Sequence, residues 1–100
     1  MNMIYITCDI AVLEQVRFLI EKLNINSYQM IEEILGKAPL GIPHLNNDVW
    51  PGHNSIIMAQ LQDDKTAELK KELQGFNQNV MNKNELITFA CWSLAEYFSQ

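Results

Sequence analysis

The chain has 100 residues, 48% of them hydrophobic and 19% charged, with a formal net charge of −5. That is the size of one domain, with enough apolar content to bury a core. Its scattered basic residues provide no electrostatic footprint for nucleic acid or anionic lipid. No apolar run approaches the roughly 18 residues of a membrane span. The opening MNMIYITCDI lacks the basic stretch and small-residue cleavage site of a secretory signal, and two cysteines suit a reducing compartment, so a cytoplasmic protein is expected.

MIYITC, ending at Asp9, reads as a first strand, and apolar residues at Val12, Leu13, Val16, Leu19, Ile20 and Leu23 then recur at helical spacing. Asp9 is positioned to cap this helix, Glu14 and Arg17 to pair on its wet face, and Asn24 and Asn26 to end it. SYQMIEEIL is a second strand whose adjacent Glu32 and Glu33 suit a sheet edge, and the more uniformly apolar NSIIMAQL is a third, interior strand. DDKTAELKKELQGF is a second helix, with Asp63 and Asp64 at its positive end, Lys70 and Lys71 near its negative end, and either Gly75 as its stop or one further turn beyond it. An asparagine-rich connection leads to a fourth strand, ELITFACW, and a short tail.

The order β-α-β-β-α-β predicts an α+β ferredoxin-like sandwich over residues 1–100, a four-stranded antiparallel sheet with both helices on one face. Strands one and three should be central. Their side chains are apolar on both faces, while two helices cover only one, so the bare face is expected to pack against other subunits. Cys8 and Cys91 should lie near opposite ends of the sheet as buried free thiols, too far apart to bridge.

All three prolines (Pro39, Pro43, Pro51), three of the four glycines (Gly36, Gly41, Gly52) and both histidines (His44, His53) fall in one stretch, GKAPLGIPHLNNDVWPGHN. Breakers so concentrated exclude a helix or ordinary strand, and a loop this long in a small domain is usually functional. Residues 36–54 are therefore the expected working segment, with Leu40 to Val49 separable from folding. Trp50, Pro51 and Gly52 read as a docking knob or lid, or as an anchor of the loop on the body. Lys37 stands where an anionic effector would meet it, or is merely a solvated lysine. His44, Asp48 and His53 are candidate ligands for a divalent transition metal such as Zn²⁺, Cu²⁺ or Ni²⁺, although two loop histidines are more often plain polar residues. No paired carboxylates or activated thiol point to catalysis; a small cofactor-free enzyme of this fold would need His44 or His53 over an internal cavity.

With EEIL running into Gly36 and the Gly41 loop, and VWPGHNS re-entering strand three, the chain resembles the PII-like superfamily, which includes the nitrogen regulatory PII proteins and the CutA proteins. The resemblance implies a homotrimer that binds a small effector between subunits. It also implies that residues 36–54, in the place of the PII T-loop, contact a target such as a transporter or enzyme, and a CutA-like metal-binding trimer is the alternative. The glycine-rich, lysine-bearing segment of the PII nucleotide site is replaced by NQNVMNKNEL, with no glycine and Lys83 as the one cation. ATP binding in the PII manner is therefore not expected, and the identity of the effector is open.

Overall fold

In the computed structural model, which describes residues 1–37, 39, 42–49 and 51–100, the elements follow the expected order. They are β1 (Asn2–Asp9), a 3-10 turn (Ile10–Val12), α1 (Leu13–Lys22), β2 (Gln29–Ile34), β3 (Asn54–Leu61), α2 (Asp63–Asn79), a second 3-10 turn (Lys83–Glu85) and β4 (Thr88–Ser93). The strands form one antiparallel sheet in the order β2-β3-β1-β4, with β1 and β3 inside and the glutamate-bearing β2 at an edge. This is the ferredoxin-like arrangement read from the sequence. No helix among the described residues is long and apolar enough to cross a membrane.

Alternation along β1 and β3 separates two faces. Ile4, Ile6 and Cys8, with Ile57, Ala59 and Leu61, are buried under Val12, Leu13, Val16 and Ile20 on one side of the helix layer and Leu69 and Leu73 on the other. Each buried Val, Leu or Ile among them contributes about 1.5–3 kcal/mol by leaving water. On the opposite face Met3 pairs with Trp92, Tyr5 with Met58 and Ile31 with Ile56. Most of these are only half-buried, and Ile31 and Trp92 remain 46% and 50% exposed.

Three local expectations are corrected. Asp9 caps the 3-10 turn, accepting from the Ala11 amide at 3.0 Å, and α1 starts three residues later. Of the two ends open to α2 it takes the further one, running a turn past Gly75 to Asn79, because Gly75 takes no left-handed backbone and the next residues have partners beyond it: Phe76 packs on the core and Asn77 grips Ile87. Consequently Lys70 and Lys71 sit mid-helix and the last turn has no basic residue. β4 begins at Thr88 rather than Glu85, since Asn82 caps the Lys83–Glu85 turn and the Asn77 amide both donates to the Ile87 carbonyl and accepts from its N–H, each at 2.8 Å. That side chain fills the role of a neighbouring strand for one residue.

Both cysteines are free, and Cys91, opposite Ile4, is four residues along β1 from Cys8, about 13 Å at strand rise. Cys8 is buried as expected, but Cys91 is exposed. It lies in the outer half of an edge strand, Ala90–Ser93, where every residue is exposed.

Candidate functional site

The segment between β2 and β3 returns to the body at several points. Gly36 and His44 form an antiparallel bridge, the His44 amide donating to the Gly36 carbonyl at 2.7 Å and the Gly36 amide to the His44 carbonyl at 3.0 Å. The Ile42 amide donates to Asn84 Oδ1 at 2.9 Å, which ties the loop to the stretch preceding β4. Asn46, in the left-handed region with φ 54°, donates its amide to the Gly52 carbonyl at 2.9 Å, and the Ile10 amide donates to the His53 carbonyl at 3.1 Å. Gly52 has φ 87°, so a side chain there is strained by its backbone although there is room for a Cβ, 3.7 Å from the His44 ring.

His44 is the anchor. It is 7% exposed, with Nδ1 2.6 Å from Asn54 Oδ1 and Nε2 3.5 Å from Asp9 Oδ2, a contact that is ionic only when the ring is protonated. Around it Thr7, Cys8, Asp9, Asn54 and Asn84 enclose a cavity of about 10 Å³, room for about one water. Burial, and then the neighbouring Asp9 carboxylate, push the Cys8 thiol up to about 12, so it stays protonated and a poor nucleophile. Ser55, fully buried, donates to the Glu32 carbonyl at 2.6 Å where the β2–β3 register shifts between Ile31 and Ile34.

His44 is thus a structural contact rather than a plain loop residue. Asp48 is exposed and His53 half-buried, and among the described residues no group of three or more His, Cys, Asp or Glu is placed to hold a metal ion. The three candidate ligands are not assembled. Gly36 sits at the bridge, Lys37 directly follows it, Pro51 is exposed beside Gly52, and Lys83 is exposed in the turn before β4. Gly41 and Trp50 lie outside the described residues, as does Leu40. Sequence reasoning missed Asp9, Asn54 and Asn84 as the partners of the loop, for each reads locally as a cap, a strand end or a polar linker.

Family models and curated proteins contain no match to the chain. Among solved structures it is similar to CPII, a nitrogen regulatory PII-like protein from Thiomonas intermedia K12, bound to ADP, AMP and bicarbonate: TM-score 0.69 at 13% identity over 95% of this chain and 88% of that one. The apo form of CPII gives 0.64 at 16% identity, covering 91% and 87%. A protein from Thermus thermophilus described as a putative PII-like signalling protein gives 0.62 at 10% identity, covering 91% and 83%. The neighbours are PII-like, and the fold of this chain is theirs.

Proposed function

We propose that this chain is a non-catalytic PII-like regulator, a cytoplasmic homotrimer that binds a small effector between subunits and contacts a target protein through residues 36–54. One observation carries the reading: the Ile42–Asn84 hydrogen bond joins the loop to the turn that holds Lys83, so the loop and the one cation of that stretch belong to a single connected unit. A ligand that reorders residues 82–85 must move or strain the acceptor that holds Ile42. The half-exposed apolar sheet face supports assembly, and the neutral, buried Cys8 supports a regulatory rather than catalytic role.

CPII binds ADP, AMP and bicarbonate, which makes a small anion the effector class to test first. Without glycine to bring the backbone close to phosphate, Lys83 supplies the charge compensation here. The test is calorimetric titration of the wild type and Lys83→Ala with ADP, AMP and bicarbonate in turn, alongside hydrogen exchange at the Ile42 amide. Binding that weakens in the variant and changes Ile42 exchange is expected. Saturation by one of these ligands with Ile42 exchange unaltered, or no binding of any of them, contradicts the reading.

A further inference from the structure

Among the described residues of the 36–54 loop only His44 is buried, and it stands between the crown of the loop, residues 45–52, and the body. Its backbone makes both hydrogen bonds of the bridge to Gly36, so whatever holds the ring holds the base of the loop. Acceptors meet that ring at both nitrogens. Nδ1 is 2.6 Å from Asn54 Oδ1, and Nε2 is 3.5 Å from Asp9 Oδ2, with side-chain exposures of 9% for the histidine and 19% for the aspartate. Asp9 is held in place, because its other oxygen accepts from the Ala11 amide at 3.0 Å.

A neutral imidazole has one N–H and one lone pair. With Nδ1 donating to Asn54, the lone pair of Nε2 faces a carboxylate, and the adjoining cavity of about 10 Å³ admits about one water to intervene. An imidazolium donates from both nitrogens and meets both acceptors. Of the elements lining that cavity, β1 brings Cys8 and Asp9, β3 brings Asn54 and the turn before β4 brings Asn84. The Cys8 thiol, pushed up to about 12, stays neutral, so among these groups Asp9 carries the one charge beside the ring. His53 does not line the cavity. We propose that His44 is a proton-operated latch: the imidazolium holds the loop base by donating to Asn54 and Asp9, and release of the Nε2 proton to water gives up the Asp9 half of the grip. Histidine exchanges its proton near neutral pH. Closure takes up that proton, so the base tightens as pH falls and loosens as pH rises. The latch goes beyond the regulator reading, since it needs neither effector nor target.

Long-range proton–nitrogen correlation spectra of the full-length protein, labelled in histidine, report each ring nitrogen from about pH 5 to 8.5, with His53→Gln identifying the His44 signals. Hydrogen exchange at the Gly36, Ile42 and His44 amides, corrected for the intrinsic effect of pH, reports the loop base. The expected result is an imidazolium at the acid end and exchange at these amides about tenfold slower there than at the alkaline end, following the ring's own titration. Asp9→Asn keeps an oxygen for the Ala11 amide but removes the charge. It should abolish the pH dependence at the loop while the Ile6 and Ile57 amides stay protected, and His44→Gln should do the same. A ring that stays neutral in the folded protein over the whole range, or that titrates while corrected loop exchange does not change, overturns the latch. So does an unaltered pH dependence in folded Asp9→Asn. Should a variant lose the protection of its core amides, the two wild-type curves decide alone.

Discussion

Two regions of this molecule hold their shape by opposite means. The layer between sheet and helices is apolar, with Ile4, Ile6, Val16, Ile20, Ile57, Leu69 and Leu73 all at or below 2% exposure. The base of the 36–54 loop is instead fixed by polar pairs: His44 with Asn54 and Asp9, Ile42 with Asn84, Asn46 with Gly52. Apolar packing is non-directional and tolerates imprecision, whereas each polar pair works only in one geometry and leaves a stranded group when broken. A fold secured by the first can therefore carry a loop secured by the second, and release of the loop is expected to leave the domain folded.

The largest difference should come from substitutions that remove packing. Ile6→Ala deletes a fully buried side chain on the central strand β1, beside Ile57 of β3, and is expected to cost about 2–5 kcal/mol in urea-induced unfolding. His44→Ala should cost less, about 1–3 kcal/mol, by leaving Asn54 and Asp9 with lost partners. Its distinguishing sign is local: hydrogen exchange should accelerate at the amides of Gly36, Ile42 and His44 while core amides keep the protection set by global stability. Uniform acceleration would show that the loop base and the core are one cooperative unit.

How far this contrast is legible in the sequence follows from the same physics. Element order, the interior places of β1 and β3 and the inward faces of both helices are legible because periodic apolar residues act additively. The Glu14–Arg17 pair, 2.9 Å apart, is legible because it is local. The grip of Asn77 on Ile87 and the burial of His44 are not. Each depends on one side chain meeting a distant backbone or carboxylate, and asparagine or histidine carries no period that would announce it. Cys91 misleads for a related reason: alternation says which way a side chain points, not whether the helix layer extends over that end of an edge strand.

A smaller effect separates the two thiols and sharpens the picture of the core. Cys91 should react with a disulfide reagent in the native protein, whereas Cys8 should react only after unfolding. The folded Cys8 group is raised from 9.0 to about 12, so the unfolded chain loses this proton first as pH rises. Its contribution to stability is then complete below pH 9 and declines from there towards pH 12. In Cys8→Ala that part of the decline should disappear, and an unchanged alkaline slope would place the titration elsewhere. The smallest effect is expected at the crown, where Val49→Ala should shift stability by no more than about 0.5 kcal/mol, because a side chain 74% exposed leaves little contact to lose.

An effector and the loop can meet in an inter-subunit cleft only if other subunits cover the second sheet face. Light scattering during size-exclusion chromatography at micromolar concentration measures this directly. Three times the 11.5 kDa chain mass is the expected result, with Tyr5→Glu, which sets a charge among Met58, Met3 and Ala90 on that face, lowering it towards one. A monodisperse wild-type monomer would contradict the proposed assembly and the regulatory cleft that depends on it.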